Sequence, residues 1–387
     1  MARSHTPIVA LGAAAVLAVA LAGSALGQSP SAQPPAAASA GPASPGASPV
    51  ATTSAPVAVG TITWKAVTKG KELTNDPAVY AVGQLPDDRL VVLGSTSASS
   101  TGTAWVSADG SKWSRLKLKA PKGSFIDDVG TIGATVVMTG GASDGTGLAW
   151  TSADGSTWTD AVPMSGTVYS LAPTPSGLVG VGVDGAAATA WTTSDGVTWQ
   201  SVQLAPSGRA LHVMHGANGT LVAAGAVTDT TGTDTPVVWS SLDGTTWTQT
   251  TLDGLTPGRW SLPAAASTPA GFVVSLSERG ANGSIGHVWS SPDGSTWTET
   301  HADPTGSFSA AGSVGTDALL IGHGQVLRSP DGVTWTATGE PSFTGWTVRD
   351  VMQLADGRLF AAGDAGDAFG PAGSAMATWT GTAAPAP

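Results

Sequence analysis

The 387-residue chain has no cysteine. That excludes structural disulfides, thiolate metal sites, a cysteine nucleophile and a lipid-modified N-terminal cysteine. Charge is scarce too: 11% of residues are charged, the formal net charge is −11, and the 16 Lys and Arg form no basic run. Nucleic acid is therefore excluded as a partner, because phosphate recognition needs clustered cations. No phosphate-cradling glycine loop or dinucleotide fingerprint occurs, so no cofactor is expected. Tyrosine appears only at Tyr80 and Tyr169, and glutamate only at Glu72, Glu278, Glu299 and Glu340. Glycine (52), proline (26) and tryptophan (15) are plentiful, which puts Ser, Thr, Gly and Asn rather than ion pairs on the surface.

The N-terminus carries Arg3 and His5, an apolar stretch from Ile8 to about Ala22, and small residues up to Gly27. This is the layout of a secretory signal peptide over 1–27, expected to be cleaved near Gly27; retention as an anchor is the alternative. Residues 28–58 are Pro, Ala, Ser and Gly without charge. Such a segment cannot build a core and is expected to act as a disordered tether. Export to the exterior or the cell surface follows, with no membrane association after cleavage.

Six copies of one pattern, Ser/Thr-x-Asp-Gly-x-x-Trp, organise the rest. Their aspartates are Asp109, Asp154, Asp195, Asp243, Asp293 and Asp331, spaced 38 to 50 residues apart. That is the length of one four-stranded blade of a radial repeat. Asp-Gly between strand-like runs marks a tight hairpin, in which Gly takes positive φ and the carboxylate accepts backbone N–H groups. A tryptophan lies four residues before Asp in five copies (Trp105, Trp150, Trp191, Trp239, Trp289), with Leu327 in the sixth, and another lies four after in all six. Two tryptophans remain at the ends, Trp64 and Trp379, and they complete one another as the fourth and third strands of a final blade. The expected fold is all-β: a seven-bladed β-propeller over 59–382, closed by its N-terminal strand, with a disordered tail at 383–387. Closure removes the free sheet edges that an open array would expose.

The Ser-x-Asp-Gly-x-x-Trp turns resemble the Asp-box, or BNR, repeats of the sialidase-like propeller superfamily over about residues 60–382, with one residue fewer between Asp and Trp than the usual form. The resemblance implies that the six aspartates are structural turns on the face opposite any active site. A sialidase-type site would need three arginines holding a carboxylate, a Tyr–Glu pair and an Asp acid, and the family's Arg-Ile-Pro signature is absent. The Trp-Asp and Gly-His pairs of WD40 repeats are missing as well.

The innermost strands carry a second pattern. Apolar residues at Val79, Ile126, Val168, Leu211, Trp260, Phe308 and Val348 are followed by Tyr80, Asp127, Tyr169, His212, Ser261, Ser309 and Arg349. Both tyrosines of the chain fall at this register. Inner strands line a propeller's channel, so Tyr80, Asp127, Tyr169, His212 and Arg349 are candidates to face one ligand, or else solvate a water-filled lumen. Arg209, Arg259, Trp260, Glu278, Arg279 and Trp346 are expected near the same mouth and suit stacking on a sugar or peptide. No metal site is expected, since His212 and His215 are three apart on a strand and face opposite sides. The expected function is non-catalytic binding of a glycan or an extracellular protein by a monomer. The alternative is a glycan-active hydrolase or lyase, which would need two converging titratable groups.

Overall fold

The computed structural model describes residues 60–67, 77–96, 101–252, 254–255, 260–280, 283–303, 306–322, 324–338, 343–365 and 375–384. The expected signal at 1–27, the tether at 28–58, the candidate Arg259 and the last three residues of the expected tail lie outside them. Among the described residues all regular structure is β, in seven four-stranded antiparallel sheets.

Blades 1 to 6 follow the chain, with inner strands Pro77–Gln84, Phe125–Ile132, Thr167–Thr174, Gly208–His215, Trp260–Thr268 and Ala310–Val314. Blade 7 is composite: Thr347–Gln353, Leu359–Asp364 and Met376–Ala383 come from the C-terminal end, and Ile62–Val67 supplies the outer strand. Ile62 stands opposite Ala383 and Ala66 opposite Trp379, so the ring closes through the two end tryptophans. Each inner strand touches the next around the ring, blade 7 returning to blade 1.

Each of the six hairpin turns is locked by its own residues. In the first, Asp109 Oδ1 accepts the N–H groups of Ser111 (2.8 Å) and Lys112 (3.2 Å), Ser107 Oγ accepts that of Gly110 (2.9 Å), and Trp113 Nε1 donates to the Gly110 carbonyl (3.2 Å). The turn glycines sit at φ between +64° and +83°, a region in which a side chain is strained. Five tryptophans of the third strands, Trp105, Trp150, Trp191, Trp239 and Trp379, are fully buried between blades. Each removes about 150–250 Å² from water, an upper bound of roughly 4–6 kcal/mol.

Blade 6 has Leu327 where the others have tryptophan, packed in the core between blades 5 and 6, while Phe343 fills the next interface, between blades 6 and 7. Its ring meets Trp64 edge-on at 5.1 Å and Trp379 at 5.0 Å. Beside it, Arg328 donates to the Gly60 carbonyl (2.6 Å) and pairs with buried Asp317 (2.7 Å), fastening the entry of the closing strand onto blade 6.

Candidate functional site

Near the start of the inner strands the pairing slips. In blades 1, 2, 3 and 7 the register jumps between Val79 and Ala81, Ile126 and Asp128, Val168 and Ser170, and Val348 and Asp350. One residue is thereby left unpaired as a β-bulge, which re-aims its side chain. The extra residues are Tyr80, Asp127, Tyr169 and Arg349. Blade 4 places the slip between Ala210 and His212, so Leu211 rather than His212 is the bulged residue there. In blade 5 the slip runs from Ser261 to Ala264 and skips two residues, which moves Trp260 and Ser261 out of the shared register. The sequence pattern was thus one position late in blade 4 and misplaced in blade 5.

A glycine on the second strand makes room for each regular bulge. A Cβ on Gly94, Gly140, Gly182, Gly225, Gly322 or Gly363 would collide with a backbone carbonyl of the inner strand beside it. Only blade 5, with Leu276 at this place, lacks it.

The bulges sit toward the blade end opposite the Asp turns. In blade 3, Val168 pairs with Gly182, which pairs with Thr189, whereas the Asp195 turn follows Thr193, opposite Leu178. There a cavity of ≈170 Å³ lies on the axis, lined by residues of all seven inner strands. Tyr80, Asp127, Tyr169, His212 and Arg349 all line it, together with Asp128, Ser170 and Asp350, and with Ala264, Ala265, Ala310 and Ala311 on the side of blades 5 and 6. Trp260 and Trp346 do not line it. Trp346 packs edge-on to Trp379 at 6.0 Å, within the core between blades 6 and 7. Trp260 stands edge-on to His287 at 5.2 Å, where His287 Nδ1 is 2.5 Å from Glu299 and Nε2 is 3.6 Å from Glu278. Arg209 pairs with Asp234 at 2.6 Å.

Asp128 and Asp350, one position beyond the bulge, escaped the sequence reading. Their carboxylates join neighbouring blades: Asp350 Oδ2 accepts Val82 N–H (2.8 Å) and Asp128 Oδ2 accepts Leu171 N–H (2.7 Å), while Oδ1 of each accepts the N–H of the following residue (2.7 Å). Ser170 Oγ does the same for Val213 (3.2 Å). Burial raises the Asp128 carboxyl to about 7, offset in part by those N–H groups, with Asp350 adding to the rise. Burial likewise lifts Asp350 to about 6. Asp127 is raised well above the usual range by burial and by Asp128. As a residue it is partly exposed, yet its Oδ2 has no exposed surface and no hydrogen-bond partner. Burial and the Asp127 charge also raise the Tyr169 phenol.

Arg349 is committed within the protein. Its Nε lies 3.1 Å and 3.3 Å from the two Asp364 oxygens and its Nη2 2.9 Å from Oδ1. Asp364 is buried and also accepts Val79 N–H at 3.3 Å. The Arg349 fork thus stays within blade 7, and Asp364 carries the link to blade 1.

A second, larger cavity of ≈660 Å³ lies between blades 3 and 4 at the Asp-turn end, lined by Leu178, Val179, His215, Leu221 and Leu242 among others. Leu242 is 82% exposed. The sequence signal was there: this turn position is Ala, Ser or Pro in the other five copies. Among the described residues no group of three or more His, Asp or Glu is placed to hold a metal.

No family model and no curated protein matches the sequence. Solved structures share the fold. YCF48 bound to D1 peptide is 15% identical, with 85% of this chain and 98% of that chain covered at a TM-score of 0.55. The WD40 β-propeller domain of Doa1 is 12% identical, with 84% and 96% covered at 0.52. The extracellular domain of BT4673 from B. thetaiotaomicron is 9% identical, with 82% of this chain and 40% of that chain covered at 0.50. At such identities the likeness is one of fold: this chain is a seven-bladed β-propeller.

Proposed function

We propose that this protein is an exported, non-catalytic binding propeller of the Asp-box type, and that it receives part of a glycan or protein at the channel end opposite its Asp turns. The observation that carries this is the convergence of Tyr80, Asp127, Tyr169, His212 and Arg349, from five different blades, on one axial cavity. Pure packing would not place both tyrosines of the chain and a carboxyl with an unpartnered oxygen at one register of the inner strands. At ≈170 Å³ the cavity falls below the ~300 Å³ at which small-molecule pockets begin. It therefore suits one functional group of a larger ligand whose remainder rests on the rim. YCF48, a propeller of the same fold, is seen with a peptide. Export rests on the signal-like layout of residues 1–27.

One observation favours a glycan-cleaving enzyme: Asp128 and Asp350 are carboxyls raised to about 7 and about 6, in the range of a general acid. Glycoside cleavage asks for two such groups turned toward a saccharide, whereas each of these already accepts two backbone N–H groups. The test is to probe the full chain against glycan and peptide arrays, alone and as Tyr169→Ala, and to assay a fluorogenic sialoside. Binding lost in the variant with no turnover in the parent is expected. Turnover in the parent, or binding indifferent to Tyr169, overturns the proposal.

A further inference from the structure

The channel cavity holds more acid than the protein answers. Asp127, Asp128 and Asp350 line it, and Arg349 is the one permanent cation among the described lining residues. That cation is engaged by Asp364, which lies outside the cavity. Asp128 and Asp350 are satisfied by backbone N–H groups. Asp127 is not. Its Oδ2 is sealed from solvent and has no donor, and a buried polar atom without a partner costs about 1–3 kcal/mol, more when charged. Nearby stands the ring of Tyr169, which feels the Asp127 charge, and Tyr80 lines the same wall with its hydroxyl turned to Ser95 Oγ at 2.9 Å. Aromatic faces attract cations. The wall from blades 5 and 6 is alanine alone, suited to methylenes.

Resting on the channel-binding function above, we propose that the cavity receives the side chain of a lysine on a protein partner, its ammonium group meeting the Asp127 carboxyl where that residue lines the cavity and its methylenes lying along the alanines. A carboxylate-bearing ligand would instead face three acids against one imidazole, His212, with the Arg349 guanidinium already engaged. The cavity's size favours an unbranched chain over a sugar ring, so an amino sugar is the weaker fit.

The full chain is titrated calorimetrically with Nα-acetyl-lysine amide, with the uncharged isostere Nα-acetyl-norleucine amide, with acetate and with glucosamine. The lysine amide is expected to bind at least tenfold more tightly than the other three. Asp127→Asn should weaken it at least tenfold without lowering the melting temperature, because the substitution removes the group that would ionise against the ammonium and keeps the shape. Tyr169→Leu should weaken it as well, giving a second variant should Asp127→Asn fold poorly. Equal binding of norleucine amide, tighter binding of glucosamine or acetate, no binding of the lysine amide, or indifference to both substitutions would overturn the lysine assignment. Array ligands that still depend on Tyr169 while the lysine amide fails would overturn this inference alone. If no ligand of any class responds to Tyr169, the channel function falls with it.

Discussion

The two ends of each blade use the same side chain in opposite ways. At the turn end aspartate is repeated six times, each carboxylate bound by N–H groups of its own turn, and backbone hydrogen bonds hold Asp109, Asp154, Asp195 and Asp293 down at about 2. Around the channel cavity the lining aspartates come from only two blades, and desolvation raises Asp128 and Asp350 to about 7 and about 6. Hydrogen bonding dominates where water also reaches the group, and desolvation dominates where it does not. The repeated end specifies the blades, and the channel end differs from blade to blade.

The largest expected effect concerns a carboxylate that is buried like those of the channel but paired with a cation. Arg328→Ala leaves the buried Asp317 carboxylate with the Thr316 hydroxyl but no cation, frees the Gly60 carbonyl, and should cost about 3–5 kcal/mol in denaturant unfolding. A loss under about 1 kcal/mol would show that the closing strand does not depend on this clamp. Next, Asp350→Ala strips the acceptor from Val82 N–H between blades 7 and 1 and should cost about 1–3 kcal/mol. Asp350→Asn, which keeps an acceptor and removes the charge, should cost clearly less at pH 8.

The pH dependence separates the ends by sign. Asp128 and Asp350 are raised in the fold above the ordinary 3.8, so folded protein holds protons there that unfolded chain has released. Their contribution is complete below about pH 4 and is lost as pH rises through 6 and 7. The turn carboxylates Asp109, Asp154, Asp195 and Asp293, lowered to about 2, contribute above about pH 4 and lose that contribution as pH falls through 2. Thermal melts should therefore peak between about pH 4 and 5 and decline toward pH 8, with the decline shallower in Asp128→Asn. The smallest effect is expected at a single turn: Asp293→Ala should cost at most about 1 kcal/mol, as for the loss of one cap, and leave channel binding unchanged in the array assay.

How much of this was legible follows the same division. Asp-Gly turns and the tryptophans four residues on either side made the blades, their number and the Trp64–Trp379 closure readable, because each copy repeats one local solution. The channel register was readable in blades 1, 2, 3 and 7, where a polar bulge follows Val79, Ile126, Val168 and Val348. It failed in blade 4, where Leu211 and not His212 is bulged, and in blade 5. A better marker stood on the adjacent strand: Gly94, Gly140, Gly182, Gly225, Gly322 and Gly363 each mark a close backbone approach, and alignment on them gives the correct register. Arg349 was readable as a channel residue but not as the partner of Asp364, since fifteen residues along the chain say nothing of a pairing between adjacent strands until their register is known. Trp346 was read as a mouth residue because it falls outside the repeat, but with Phe343 it packs against Trp379 in the core between blades 6 and 7.

The contrast between the two ends can be measured residue by residue. Carbon-13 NMR of the full chain labelled at Asp Cγ, titrated from pH 2 to 8 and assigned with Asp128→Asn and Asp350→Asn, reads every carboxyl at once. The expected result is a clear separation: Asp109, Asp154, Asp195 and Asp293 stay ionised down to about pH 2, and Asp128 and Asp350 change charge between about pH 6 and 7, with Asp127 also well above the ordinary range. A single population titrating near 3.8 would contradict it and would remove the physical ground for a specialised channel end.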